Sequence, residues 1–316
     1  MVMMGNGGRP VLKRDLRPRL TLALLSLAVL ATGCRPATGQ RAAASGPGEW
    51  AGTITVSGAW ALYPMMVRWG EAFRAGHPGV QIDISAGGAG KGMADALAGA
   101  VDIGMVSRDI TPEEEARGAF WVPVARDAVF PTVSARNPVL PDLMARGLAR
   151  EAFLGIYITG QIKTWGQAIG RPTVVDEIHV YTRSDAAGAP ETWARYLGKR
   201  QEDLQGIGVY GDPGVLDAVV KDPLALGYNN LNYAFDAKTG LPVAGAAIVP
   251  IDGNGNGRAD PEEVVDTKAK ALAAVASGHY PAPPARDLYL VTRGKPSGLT
   301  RAFLLWILGE GQPYLE

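Results

Sequence analysis

"VSGAWALYPMMVRWGEAFRAGHPGVQIDISAGGAGKGMADALAGAVDIGMVSRDI", residues 56–110, alternates strand-like and helix-like patterns at short, regular spacing. Just before and into it, "TITVS" (53–57) sets threonines against Ile54 and Val56, the period of a strand. Leu62, Met65, Met66, Trp69, Ala72 and Phe73 then recur at helical spacing. "VQIDIS" (80–85) reads as a second strand that ends in the glycine loop "AGGAGKG". "MADALAGA" is helical, and "VDIGMVS" is a third strand. Thr111-Pro112-Glu113-Glu114 has the form of a capping box with proline at the first helical position. Strands alternating with helices in this way predict an α/β protein with largely parallel sheets.

The same alternation extends outward. At 128–137, "AVFPTVSARN" passes from an apolar strand into a Pro/Ser/Asn segment, read as the crossing from a first lobe to a second. A second α/β stretch runs to about residue 275, and "DLYLVTRGKPSGLTRAFLLWILGEG" (287–311) adds a strand and a helix that return to the first lobe. The expected organisation is lobe 1 over 52–132, lobe 2 over 133–284 and a return over 285–316, with a hinge near 131–137 and 283–287.

Ligands of open α/β sheets bind beyond the carboxyl ends of the strands. Four loops there are rich in glycine or small polar residues: Gly58–Ala61, Gly87–Gly92, Ser107–Asp109 and Arg183–Ala189. In the last, "YTRSDAAGAPETW" (181–193) runs from a strand end into a helix start. The free N–H groups of a first helical turn suit an anion, and Arg183 just before it carries a fork matched to paired oxygens. Asp185 reads as the ion-pair partner that orients Arg183. Ala187 and Ala189 offer no hydroxyl.

These segments together resemble the phosphate-binding proteins of ABC importers. The stretch 56–110 is similar to that family's N-terminal lobe, and "TRSDAAGAPETW" stands at its Arg-Ser-Asp-Gly-Ser-Gly-Thr motif. "GYNN" (227–230) and "ARDLYLVTRGKP" (285–296) match later segments, so the resemblance covers roughly 52–312. It implies a two-lobed periplasmic-binding-protein-like fold of type II whose hinge-connected lobes close on an oxyanion. It also implies a ligand site at Ala59, Trp60, Ala61, Gly88, Ala89, Gly90, Ser107, Arg108, Arg183, Ser184, Gly188 and Ala189. The departures fall at the ligand: alanine replaces the family's hydroxyl residues at 59, 61, 89, 187 and 189, and Trp60 stands in the first loop as either a ligand wall or a packing residue.

The resemblance therefore implies a solute-binding component of an importer that captures phosphate or another small oxyanion and delivers it to ABC permease subunits. A different small solute, or an envelope sensory or interaction protein that binds none, remains open because the loops are poor in hydroxyls. Catalysis has little support. His77, His179 and His279 are scattered, and there is no G-x-S-x-G elbow. "GGAGKGM" is no P-loop, since Ser85 and Gly92 stand where glycine and Ser/Thr are needed.

One further motif is local. "DGNGNGRADPEE" (252–263) fits the calcium-loop pattern, with Asp252, Asn254, Asn256, the Arg258 carbonyl, Asp260 and Glu263 as ligands and Gly257 at the turn. It would bind one structural calcium ion between the strand "AAIVPI" and a helix over 261–277; the alternative is an Asn/Gly turn.

The N-terminus reads as a secretory signal: five basic residues precede the apolar run Leu20–Leu30 and the small residues 31–33. The whole chain balances 31 Lys and Arg against 31 Asp and Glu; without residues 1–33, which hold five basic and one acidic, it carries 26 against 30. No basic excess remains for nucleic acid. Cys34, the only cysteine, closes "LATGC", which resembles a lipoprotein lipobox with Ala31 in the usual leucine place. The expectation is a lipid-anchored protein of the cell envelope, periplasmic or extracytoplasmic, on the flexible tether 35–49. Cys34→Ala should release the protein from the membrane fraction; fractionation that leaves it there removes the lipid anchor.

Overall fold

The computed structural model describes residues 50–315; the signal-like segment, Cys34 and the tether lie outside the described residues. Strand β1 (Ala51–Gly58) buries Ile54 and Val56 and turns Thr53 outward, as its alternation requires. It pairs in parallel with β2 (Gly79–Ala86) and β3 (Ile103–Val106). Helix Tyr63–Gly76 follows β1, with Pro64 in its first turn and Met65, Met66, Trp69 and Phe73 buried along one face. Helix Ala89–Ala98 follows β2 and ends at Gly99, whose φ of 71° favours glycine.

Glycine sets how closely that second helix lies on the sheet. A Cβ at Gly92 would stand 2.4 Å from the Met105 carbonyl oxygen and 2.8 Å from the Cα of Gly58. Helix and strands touch backbone to backbone, a distance no larger residue permits.

Seven more strands carry the chain to β10: β4 (Ala119–Ser134), β5 (Leu148–Ala149), β6 (His179–Arg183), β7 (Ile207–Val209), β8 (Ala225–Asn230), β9 (Ala246–Ile248) and β10 (Ile251–Asp252). The return strand is β11 (Ala285–Arg293). Among the described residues the main sheet has nine strands in the order β2-β1-β3-β11-β4-β8-β6-β7, with β9 also beside β4; β5 and β10 form a separate parallel pair. The sheet is more mixed than the sequence pattern predicts. Two parallel groups, β2-β1-β3 and β8-β6-β7, are joined through the antiparallel strands β11 and β4. The reason is connectivity: β4 carries the chain out of the first group and β11 brings it back.

Two apolar cores flank this seam. One gathers Ile54 through Val124 with Leu288 through Ile307, around Trp69, Phe73 and Phe303. The other runs from Ala128 to Ala285, around Phe130, Trp165, Trp193 and Tyr228. Along β4 the core changes between Val124 and Ala128, where its partner changes from β11 to β8. That crossing lies a few residues before the 131–137 hinge expected from the sequence. Along β11 it falls between Ala285 and Leu288.

The region around the calcium-like loop also differs in detail. The "AAIVPI" strand is broken at Pro250, which has no N–H to give a ladder. The helix expected over 261–277 begins only at Lys268, where the Thr267 side chain accepts from the Lys270 N–H. Before it the chain makes a turn and buries Val265.

Candidate functional site

Two loops of the first core, 87–92 and 107–109, meet the 183–189 loop of the second. The Gly90 N–H donates to the Ala186 carbonyl at 3.2 Å. A Cβ at Gly88 would stand 2.5 Å from that same oxygen, and one at Gly188 would stand 2.2 Å from both the carbonyl oxygen and Oγ of Ser107. Side chains at either glycine would hold the two halves apart. Ala59, Ala61, Ala89, Ala187 and Ala189 are all buried, the first three as part of the first core and Ala189 as part of the second. Gly188 opens helix Gly188–Tyr196, whose first N–H groups have no intrahelical acceptor.

Arg183 ends β6 directly before this turn, with its side chain 1 % exposed. Nε and Nη2 fork onto the Asp185 carboxylate at 2.7 and 2.5 Å, and Nη1 donates to Asp212 at 2.6 Å. Burial works against the charge of Arg183, but Asp185 and Asp212 outweigh it and raise its pKa. Burial likewise opposes the Asp185 charge, and Arg183 outweighs it and lowers that pKa. Asp212 is fully buried and also accepts from the Asn230 N–H and side-chain amide.

Two residues expected at the site stand apart from it. Ser184 is exposed, and its N–H donates to the Val209 carbonyl. Arg108 sits at the rim with its guanidinium engaged. It bonds both oxygens of Glu114 at 2.9 and 2.6 Å and the Asp109 carbonyl at 2.8 Å, and lies 3.2 Å from Glu191 of the other half. Trp60 crosses between the halves and packs against Tyr63, Tyr210 and Tyr233, with ring centroids 5.8–6.4 Å apart. Its Nε1 is buried with no partner among the described residues.

Sequence reasoning missed the residues that complete the network: Asp212, Tyr210, Tyr233, Asn230, Asp127 and Arg286. Asn230 and Arg286 lie inside the segments "GYNN" and "ARDLYLVTRGKP", but spacing alone gives them no role. Arg286 donates from Nε to the Ser107 carbonyl at 2.8 Å and from Nη2 to Asn230 Oδ1, and lies 3.3 Å from Asp127. Burial lowers the Arg286 pKa, opposed by Asp127 and Asp212. Asp127 accepts from the Leu231 N–H at 3.2 Å.

The 252–263 loop lies elsewhere and closes on itself. Asp252 accepts from the N–H groups of Gly255, Asn256 and Gly257. The amides of Asn254 and Asn256 donate to Asp260, whose other oxygen takes the Arg258 guanidinium. Glu263 accepts from the N–H groups of Gly253 and Asp260. Among the described residues no group of three or more His, Cys, Asp or Glu is gathered as a metal cluster.

Comparison with known proteins fits this geometry. Residues 42–310 match the model of the PBP superfamily domain. A phosphate-binding protein PstS of Bacillus subtilis is 26 % identical over 295 residues, covering 92 % of this chain and 88 % of that protein. A structure from Clostridium perfringens, assigned to phosphate ABC transporter substrate-binding proteins and solved with bound phosphate, superposes with a TM-score of 0.66. It is 25 % identical, and the match covers 83 % of this chain and 96 % of that one. A phosphate transport receptor from Vibrio cholerae, 20 % identical with a TM-score of 0.58, shares the fold over 83 % of this chain and 96 % of its own.

Asp127 makes the interior sensitive to pH. Burial pushes its pKa up from 3.8 to about 6, against the pull of Arg286. Between those values the folded protein holds a proton that the unfolded chain has lost. The contribution of Asp127 is therefore fully present below 3.8 and is lost as pH rises through 6. Asp127→Asn does not titrate, so the stability of wild type minus variant should fall by roughly 2–3 kcal/mol from pH 4 to pH 7. Urea unfolding at the two pH values measures it, and a difference that rises with pH contradicts the burial argument.

Proposed function

This chain belongs to the PBP superfamily, and from that premise we propose that it captures phosphate, or a closely related oxyanion, between its two halves as the binding component of an ABC importer. The observation that carries the reading is the junction of Arg183 with the start of helix Gly188–Tyr196, set against Ser107 of the opposite half. A helix N-terminus carries roughly half a positive charge, and the guanidinium beside it is already held rigid by Asp185 and Asp212. A captured oxyanion would take the N–H groups of the first helical turn and of the glycine loop, with Ser107 Oγ as the remaining hydroxyl. Delivery to permease subunits follows from the importer reading. Among the described residues no helix is long and apolar enough to cross a membrane, and lipidation at Cys34 would hold the protein at the envelope.

The alanines bear on selectivity. Each hydrogen bond to a charged group is worth about 1.5–3 kcal/mol, so losing several of them weakens binding of a small, highly charged anion. The aromatic set Trp60, Tyr63, Tyr210 and Tyr233 favours a second reading, in which the oxyanion is carried on a small organic group that these rings enclose.

Loop 252–263 supports a separate proposal, a structural calcium site in the loaded protein. There the Asn254 and Asn256 amides, which donate to Asp260 in this structure, would turn their oxygens inward.

Calorimetry with inorganic phosphate, sulfate and an alkylphosphonate tests the first reading. Phosphate should bind, and the triple variant Ala89→Ser, Ala187→Ser, Ala189→Thr should bind it at least tenfold more tightly, about 1.4 kcal/mol. Preference for the alkylphosphonate favours the second reading, and no heat with any of the three leaves a scaffold that binds no such anion. Arg183→Ala is the poorer probe, because it strands Asp185 and Asp212 without their cation, at about 3–5 kcal/mol. For the loop, millimolar calcium should raise the melting temperature and chelator should lower it, and Glu263→Gln should abolish the difference. An unchanged melting temperature leaves the loop as a turn.

A further inference from the structure

The proposed oxyanion site has an imbalance between its two sides. The second half brings a helix start and Arg183, whose three nitrogens are all engaged by Asp185 and Asp212. The first half brings three alanines at 59, 61 and 89, the single hydroxyl of Ser107, and Arg108, whose guanidinium is committed to Glu114, Asp109 and Glu191 at the rim.

Arg286 stands behind Ser107. It comes from β11, the strand that returns from the second half, and its side chain is 6 % exposed. Two of its three nitrogens are fixed by the protein: Nε by the Ser107 carbonyl and Nη2 by Asn230. The third, Nη1, is buried and has no partner among the described residues. Leaving a charged donor unpaired in the interior is costly. A protein that anchors the rest of the guanidinium so firmly has oriented this donor.

Two contacts place that guanidinium at the site. The carbonyl that holds Nε is the one a Gly188 Cβ would strike at 2.2 Å, so Arg286 is one hydrogen bond removed from the start of helix Gly188–Tyr196. The Asn230 that holds Nη2 donates to Asp212, which holds Nη1 of Arg183. The two buried guanidiniums are therefore locked in one network, with Asp212 and Asn230 between them.

We propose that Arg286 is a ligand-binding residue of this chain, whose Nη1 donates to the captured oxyanion. It supplies from the return strand what the alanine-substituted loops have lost. The inference rests on the reading of the site as an oxyanion trap. With Arg183 alone, the buried carboxylates Asp185, Asp212 and Asp127 outnumber the cations three to one; Arg286 brings the interior to within one charge of balance. A guanidinium also suits the role better than an ammonium, because its fork can hold Ser107 and Asn230 while a further N–H reaches the ligand.

The test is calorimetry with inorganic phosphate on the wild type, Arg286→Lys and Arg286→Gln, with the melting temperature of each taken without phosphate. Lysine keeps the charge but cannot hold Ser107 and Asn230 and reach a ligand together. The expected result is phosphate binding by the wild type, at least tenfold weaker in folded Arg286→Lys and weaker still in folded Arg286→Gln. If the wild type binds phosphate and both folded variants bind within twofold of it, Arg286 is structural only, while the oxyanion reading survives. If the wild type binds no phosphate, both fall. Should neither variant fold, nitrogen-labelled arginine in the wild type decides: saturating phosphate should shift the side-chain signals of two slowly exchanging arginines, and a shift of only one overturns the inference.

Discussion

The burial of the Arg183 guanidinium organises the second half of this molecule. Arg183 is out of reach of water, and a guanidinium in that position is tolerable only with its charge matched and its donors filled. Asp185 matches it from the same loop and Asp212 from the first turn of helix Gly211–Lys221, and the Gly211 N–H at the start of that helix donates to the Asp185 carboxylate. Asn230, at the end of β8, closes the network on Asp212. Three strand ends of the second half are therefore fixed relative to one another by electrostatics. The helix start at Gly188 is held where it meets the other half.

The contact between the halves depends on small residues more than on strong bonds. Backbone meets backbone at Gly88 and Ala186 and at Gly188 and Ser107, and the Gly90 N–H donates across to the Ala186 carbonyl. Around the edge, Arg195 pairs with Asp109 at 2.6 Å and Arg108 with Glu191 at 3.2 Å. The first pair is largely exposed, and such pairs contribute about 0–1 kcal/mol. An interface of this kind is close in shape but weak in energy. That suits two halves which must part for a ligand to leave, since a contact as apolar as either core would not reopen.

The interior of the contact is neither a purely polar anion cradle nor an apolar pocket. Alanines replace hydroxyls, Trp60 spans the gap among three tyrosines, and two arginines face three carboxylates. Selectivity in such a space depends on which charged groups reach the ligand directly and which are spent on each other. By that criterion Arg108, which the loop position recommends, is spent on Glu114, whereas Arg286 keeps a donor free.

Local pattern was enough to place the strands and helices of residues 53–110, because period-two and helical spacing follow from backbone geometry and these segments bury one face each. The 183–189 turn, its arginine and the pairing of Arg183 with Asp185 were legible for the same reason: the partners are two residues apart. The start of the helix after the calcium-like loop was not, since burial of Val265 and the cap at Thr267 decided it, in a stretch where Val264 to Thr267 are weak helix formers. The sequence by itself determined the α/β class, the glycine loops and the anion-suited helix start. Only the tertiary structure decided that Arg108 is engaged at the rim, that Ser184 faces solvent, and that Asp212, Asn230 and Arg286, up to 179 positions from their partners, complete the site. Spacing along a chain carries no information about charges that meet only after β4 and β11 have brought two separate cores together.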